Sequence, residues 1–196
     1  MNRSLVAILK CNAVTARVCL VLLTCLGVGA CATARKISAY ETAVTSVTVV
    51  YATALDKGSD AGPYRTQSDN DRFLETKRFP EFTNLFHDAV VDEFSRLNVA
   101  ASFQVVDTLP QSLNGFKTPH VLTLRVRQVH LTFLDVSGYI IYQATLNDVA
   151  LGQVVWQRDE VTGAGAFSTL DESKARSLAR HIVAQLKSDK LLAGGS

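Results

Sequence analysis

The sequence lacks cysteine after Cys31 and lacks acidic residues before Glu41. Because all four cysteines lie in the first 31 residues, the rest of the chain holds neither a disulfide framework nor a cysteine-ligated metal centre. The sequence also has no uncharged apolar run of about 20 residues, the length that a transmembrane helix needs. The chain is therefore divided into a short basic segment and a long segment of mixed charge.

The short segment has the three parts of a secretory signal peptide. Three basic residues and no acidic residue occur in the first 17 positions, residues 18–28 form an apolar run, and Gly29 and Ala30 are small. An apolar region of about ten residues is typical of a signal peptide and is short for a membrane span. Residues 1–30 are therefore predicted to be removed from the mature protein.

The end of this segment resembles a bacterial lipobox, because Val28, Gly29 and Ala30 precede Cys31. In lipoproteins with this motif the cysteine receives the lipid and becomes the first residue of the mature chain. The resemblance implies that Cys31 is the lipid attachment residue, and several acyl chains anchor a protein stably. Ala32, in place of Asp, implies release to the outer membrane. The alternative is an ordinary secreted protein that is cut near Ala30 or Ala32.

The mature chain predicted by this cut, residues 31–196, is almost neutral. Three of the 20 basic residues are lost with the signal peptide, which leaves 17 against 18 acidic residues. A nucleic-acid-binding domain is usually basic, so we expect no nucleic-acid partner. All the aromatic residues lie in this part, which is long enough to bury a core as a single domain.

Apolar periodicity predicts an α+β domain in the order β-α-β-β-β-β-α, with two helices packed on a mixed, mostly antiparallel sheet. The predicted strands are 46–54, 102–107, 121–134, 139–149 and 153–161, and the predicted helices are 80–97 and a final one after Thr169.

Three local signals refine this prediction. The apolar residues of the long strand change face after Gln128, which indicates a β-bulge or bend near Arg127 and Gln128. Gly152 favours a hairpin between the last two strands. Thr169 and Glu172 have the spacing of a capping box for the final helix, and Asn98 is a plausible end for the first helix.

The predicted organisation has four parts and one long loop. The loop, residues 56–78, is polar and lacks clear periodicity, which is typical of functional or mobile connections. The parts are a signal peptide at 1–30, a lipidated N-terminus and tether at 31–45, one periplasmic domain at 46–190 and a loose tail at 191–196.

The sequence shows no catalytic or metal-binding motif. No HExxH, GxSxG or Walker A motif is present, and the four histidines lack metal-ligand spacing: His87, His120, His130 and His181. Asp69, Asn70 and Asp71 lack the glycine and the distant glutamate of a calcium loop. Gly163 and Gly165 give only a weak dinucleotide-loop pattern. We therefore expect no enzyme activity, no cofactor and no bound metal.

Arg125 and Arg127 alternate along the long strand and project from one face, with Lys117 nearby in sequence. They suit contact with an anionic polymer or an acidic partner. The solvated outer face of an antiparallel sheet explains them as well, and this second interpretation is favoured.

The predicted domain resembles envelope lipoproteins with a TolB N-terminal-like domain. That group includes the curli-secretion lipoprotein, the Pel polysaccharide-export lipoprotein and the lipoprotein activators of peptidoglycan synthases. The resemblance rests on four segments: the strand at 47–51, the helix at 80–97, the strand at 103–107 and the hairpin at 146–156, with its acidic residue, turn glycine and apolar pair before Trp156.

The resemblance and the lipobox together predict a non-catalytic, lipid-anchored scaffold or accessory subunit of a cell-envelope complex for export, transport or cell-wall assembly. The expected location is the periplasmic face of the outer membrane. The expected partners are the membrane, through Cys31, and other envelope proteins, with a homo-oligomer left open. The alternative is a ligand-binding auxiliary lipoprotein of an ABC-type transporter, which would need an apolar pocket between helix and sheet.

Overall fold

The chain divides into two compact units, Met1–Ala32 and Thr33–Ser196. The structure, a computed structural model, describes part of the second unit, namely residues 35–36, 40–54, 78–131, 138–164 and 170–192. Most of the predicted loop at 56–78 and all of the predicted signal peptide lie outside the described residues, as does Cys31.

The described residues form six strands and two helices, and the predicted α+β class and element order are confirmed. The two-residue strand β1 precedes the predicted elements. The bounds are β1 Arg35–Lys36, β2 Ser46–Ala52, α1 Arg78–Ser95, β3 Ala100–Val106, β4 His120–Leu131, β5 Gly138–Asp148, β6 Gln153–Ala164 and α2 Glu172–Ser188.

The strands form one mixed sheet in the order β1-β6-β5-β4-β2-β3. The central strand β2 pairs in parallel with both β3 and β4, whereas the β4–β5, β5–β6 and β1–β6 pairs are antiparallel. Because β3 and β4 run in the same direction, the connection between them, residues 107–119, has to return along the length of the sheet. This connection forms one wall of the candidate site described below.

The core fills the space between the helices and one face of the sheet. Alternate residues of each long strand point into it, and the apolar stripes of both helices cover them. Its largest fully buried side chains include Trp156, Tyr51, Tyr142, Phe82, Phe86 and Phe94. Each such side chain contributes roughly 1.5–3 kcal/mol to the free energy of folding through burial.

The two predicted irregularities of the β4–β6 region are confirmed. The register between β4 and β5 shifts between Val126 and Gln128, so Arg127 is the bulged residue, and Val129 returns to the core face. Gly152, in the turn between β5 and β6, has φ of +62°, a left-handed conformation that glycine adopts without steric cost.

The structure confirms the predicted end of α1 and corrects the predicted start of α2. Asn98 has φ of +57° just after α1, so it ends the helix as predicted. The capping box predicted at Thr169 and Glu172 is wrong. The N-cap of α2 is Asp171, whose carboxylate accepts a hydrogen bond from the Lys174 N–H at 3.1 Å, and Thr169 lies outside the described residues.

The packed chain extends beyond the predicted domain at both ends. Before residue 46, Tyr40 and Val44 are buried, and the Val44 N–H donates to the Leu191 carbonyl at 2.7 Å. Leu191 and Leu192 are also buried, although residues 191–196 were expected to form a loose tail. The boundaries predicted at 46 and 190 are therefore too narrow, because these flanking residues pair with each other and cover the core.

Candidate functional site

The face of the sheet opposite the helices, here called the open face, carries rows of polar side chains. Strand pairing aligns Thr123, Thr145 and Gln157 in one row across β4, β5 and β6. The next row contains Arg125 and Gln143. These residues alternate with core residues along each strand, which places them on the open face.

The returning connection between β3 and β4 lies over this face and makes a groove of it. Residues 109–114 form one wall of the groove, the polar rows form its floor, and Gly152 and Val154 lie at the end near the hairpin turn. The volume of this groove is about 460 Å³. We call it the open-face groove.

Hydrogen bonds fix the connection where it rejoins the sheet. The Thr118 hydroxyl lies 2.8 Å from the Thr48 hydroxyl, which is itself 3.0 Å from the Ser102 hydroxyl. The Val149 N–H donates to the Pro119 carbonyl at 2.9 Å. The end of the connection is therefore tied to β2 and to the β5–β6 turn, next to the point where β4 begins.

The described lining of the groove combines hydrogen-bonding and apolar groups. Amides, hydroxyls and one guanidinium group lie beside apolar side chains such as Leu109, Leu113 and Val154. The Arg125 guanidinium donates through Nε and Nη2 to the Gln143 Oε1 at 3.0 and 2.5 Å, which orients both side chains on the floor. This arrangement can recognise polar groups of a partner.

Arg127 lies on the same face as Arg125 but further along the strands. Its guanidinium forms an ion pair with Asp159 at 2.5 Å, and its side chain is 55% exposed. Lys117 is exposed in the connection between β3 and β4. The two arginines share a face, as predicted, and each has a partner within the chain, which agrees with the favoured interpretation of a solvated outer face.

A second polar cluster, buried at one end of the sheet, joins Tyr40, His120 and Asp148. The Tyr40 hydroxyl donates to Asp148 Oδ2 at 2.7 Å and lies 2.5 Å from His120 Nε2. With the hydroxyl proton directed at Asp148, the tyrosine oxygen accepts from the Nε2–H of a neutral His120. Asp148 Oδ1 also accepts from the Leu151 N–H at 2.9 Å.

The pKa values in this cluster favour neutral His120 and ionised Asp148. Burial lowers the pKa of His120, although the nearby Asp148 carboxylate opposes this change. Burial alone would raise the pKa of Asp148, but hydrogen bonds from Leu151 and Tyr40 together bring it below the ordinary value. Burial and Asp148 raise the pKa of Tyr40 to about 12. The cluster thus holds Tyr40 onto the sheet, and its buried hydroxyl is a poor nucleophile.

The sequence indicates neither site as a unit. His120 is notable in the sequence only as one of four histidines without metal-ligand spacing, and its contact with Tyr40 spans 80 positions, beyond the reach of local patterns. The groove depends on where the 107–119 connection returns, which requires knowledge of the strand order.

The other histidines are dispersed. His87 and His181 are exposed on different helices. The side chain of His130 is outside the described part of the structure. Within the described part of the chain, no group of three or more His, Cys, Asp or Glu residues is arranged to hold a metal ion. No helix in the same part is long and apolar enough to cross a membrane.

No protein-family model matches the chain, and no curated protein matches it. Several solved structures match the structure of this chain.

The similar structures include proteins described as lipoproteins. The PelC dodecamer from Paraburkholderia phytofirmans shares 17% identity, with 79% of this chain and 96% of that chain covered and a TM-score of 0.47. A DUF330 protein from Xanthomonas campestris shares 13% identity over 80% of this chain and 89% of that chain, with a TM-score of 0.40. A minor lipoprotein from Acinetobacter baumannii shares 11% identity over 76% of this chain and 97% of that chain, with a TM-score of 0.35.

Proposed function

We propose that the chain is a non-catalytic, lipid-anchored scaffold or accessory subunit of a cell-envelope complex. In this proposal Cys31 carries the lipid, the protein lies on the periplasmic face of the outer membrane, and its partners are other envelope proteins. The lipobox-like residues before Cys31 support the anchor. The TolB-type resemblance supports a role in export, transport or cell-wall assembly.

The observation that carries the accessory role is the contrast between the two faces of the sheet. On the helix-covered face, Tyr51 is fully buried and packs against Tyr142 of β5 and against Phe86 of α1, which are also fully buried. On the open face, the groove is open to solvent, with hydrogen-bonding groups on its floor and Leu109 and Leu113 on its wall. A groove of this mixed composition suits a surface segment of a partner protein.

The same contrast weighs against the alternative, a ligand-binding subunit of an ABC-type transporter. That function needs an apolar pocket between helix and sheet for a small or amphipathic ligand. In the described residues, the centre of that interface is occupied by buried aromatic side chains. The alternative would therefore require its ligand to bind elsewhere.

The anchor is tested by metabolic labelling with radioactive palmitate. The protein is expected to take up the label, to lose it in a Cys31→Ala variant, and to accumulate as a larger precursor when globomycin blocks the lipoprotein signal peptidase. A protein that is processed normally without label would contradict the anchor.

The accessory role is tested by photo-crosslinking in cells. A photo-reactive residue at Gln111, exposed on the groove wall, is expected to give an adduct of defined mass with an envelope protein or with a second copy. The matched control is the same residue at Ser177, exposed on α2. A strictly solitary monomer at both positions would contradict the proposal.

A further inference from the structure

The strand β3 ends the sheet on one side and lacks the features that usually protect an edge strand. It is last in the strand order, so among the described strands only β2 pairs with it. Its seven residues, Ala100–Val106, include no charged residue and no proline, and its register with β2 is regular throughout. Edge strands are usually protected by charge, proline or a bulge, because their unpaired N–H and C=O groups otherwise bind another strand.

The opposite edge of the sheet is charged. The edge strand there, β1, consists of Arg35 and Lys36. The strand beside it, β6, carries Arg158, Asp159 and Glu160 in succession. Charges of this kind oppose pairing with a further strand. The two edges therefore differ, and β3 is the edge that is suited to accept a strand.

The hydrogen bonds to β2 show which backbone groups of β3 are directed outward. The Ala100 N–H donates to the Thr45 carbonyl at 3.1 Å, and the Val106 carbonyl accepts from the Thr53 N–H at 2.9 Å. Because successive residues of a strand direct their N–H and C=O groups to opposite sides, the even-numbered residues of β3 bond to β2. The residues whose N–H and C=O groups are directed away from β2 are the odd-numbered ones, Ala101, Phe103 and Val105.

The side chains of β3 form a pattern that is symmetric about Phe103. Phe103 and Ala101 are partly buried against the core, and Val105, on the same side of the sheet, is 52% exposed. Ser102 and Gln104 are exposed and lie on the open face. Polar and apolar residues thus alternate in the same way in both directions from the central phenylalanine.

We propose that β3 pairs antiparallel with β3 of a second copy of this chain, with Phe103 at the two-fold axis. In this register Phe103 lies opposite Phe103 of the second copy, and Ala101 lies opposite Val105. These are the residues whose N–H and C=O groups are directed outward, so each opposed pair exchanges both backbone hydrogen bonds. A two-fold pairing closes on itself and therefore gives a dimer rather than a filament.

The side chains match in the same register. On the helix-covered side, the small Ala101 side chain faces the exposed Val105 of the second copy, and the two Phe103 side chains lie side by side. On the open face, Ser102 faces Gln104, so no like charges are opposed. The dimer requires neither a lipid on Cys31 nor an occupied groove, and it can be absent while the proposed accessory function holds.

Cysteine crosslinking tests the register. Ser102→Cys and Gln104→Cys are both at exposed positions, and full-length chains with one substitution each are expressed together. The Cα atoms of positions 102 and 104 of the two copies are expected to lie about 4.5 Å apart, within the range of a disulfide. Two copies of position 102 are offset by two residues, about 7 Å along the strand, which is beyond that range.

After mild oxidation of isolated membranes, the disulfide between positions 102 and 104 is expected to predominate over the disulfides that join equal positions. Mass spectrometry of the linked peptides separates these products from disulfides of the four native cysteines. Disulfides between equal positions in similar amounts, or a disulfide from position 102 to a different protein, would overturn the proposed pairing.

A matched pair of lysine variants tests the dimer itself. Val105→Lys places a charge on the β3 edge, and Val161→Lys places one on β6, at a position that is 59% exposed. Sedimentation in detergent is expected to give a dimer for the unsubstituted full-length protein and for Val161→Lys, and a shift to monomer for Val105→Lys. A monomeric unsubstituted protein, or equal amounts of dimer in the two variants, would overturn the proposal.

Discussion

At the scale of single residues, Tyr40 connects the segment between β1 and β2 to two other strands of the sheet. Its hydroxyl group touches His120 at the start of β4 and Asp148 at the end of β5, and all three side chains are buried. A buried polar group that loses its partner costs more than the bond itself contributed, because water cannot replace the partner. The Tyr40 hydroxyl is therefore a sensitive point of the structure.

We predict that Tyr40→Phe lowers the free energy of unfolding by about 1–3 kcal/mol, since it leaves the His120 N–H and an Asp148 oxygen without this partner. Urea unfolding of the detergent-solubilised protein measures the change, with the single and fully buried Trp156 as the fluorescent probe. A Tyr40→Phe variant as stable as the wild type would contradict the role given to Tyr40.

The lowered pKa of His120 predicts a pH dependence of stability. The unfolded chain binds a proton on this histidine near its ordinary pKa of 6.5, whereas the folded chain does so only at lower pH. The free energy of unfolding therefore falls as the pH decreases below about 6.5, by at most about 1.4 kcal/mol per pH unit from this group.

The comparison with His120→Asn isolates this contribution. Burial raises the pKa of Glu160, so the contribution of this residue to the free energy of unfolding rises as the pH falls, whereas that of His120 declines. The pH dependence of the wild type therefore combines the effects of several groups. Urea midpoints between pH 7.5 and 5 are expected to decline less in His120→Asn than in the wild type. Parallel curves for the two proteins would remove His120 from this explanation.

At the scale of elements, the β5–β6 hairpin depends on the backbone of Gly152. A Cβ atom added there meets no atom within 4 Å, but φ is +62°, so the cost of a side chain comes from the backbone alone. We predict that Gly152→Ala lowers the free energy of unfolding by about 1–2 kcal/mol.

Gly115 provides the matched control, because its added Cβ also meets nothing within 4 Å and its φ is outside the left-handed region. Gly115→Ala is expected to leave stability unchanged or to raise it by a few tenths of a kcal/mol, up to about 1 kcal/mol. Thermal unfolding of both variants checks the pair. A larger loss for Gly115→Ala would contradict the conformational argument.

The same elements show what the sequence can and cannot predict. The bulge at Arg127 and the turn at Gly152 are visible in the sequence because a change of apolar phase and a glycine between two strands are local signals. The parallel pairing of β2 with β4 is not visible, because its partners lie more than 70 positions apart. The groove depends on that pairing, and so the candidate site could not be predicted even though the elements around it were.

At the scale of the whole molecule, the helices cover one face of the sheet and the open-face groove lies on the other. The groove is the surface that we propose for a partner. We predict that Thr145→Trp, which fills the floor of the groove, abolishes the crosslink from Gln111 while the protein remains folded and membrane-bound. The control is Ser177→Trp on α2, which is expected to keep the crosslink. An unchanged crosslink in Thr145→Trp would place the partner elsewhere.

The most direct test of the account is the mass of the N-terminal peptide of the protein isolated from membranes. The account predicts a peptide that begins at Cys31 and carries a diacylglyceryl group on its thiol together with an acyl group on its amine. A peptide that begins near Cys31 without lipid, or an intact N-terminal segment of residues 1–30, would contradict the proposal that this protein is a lipoprotein.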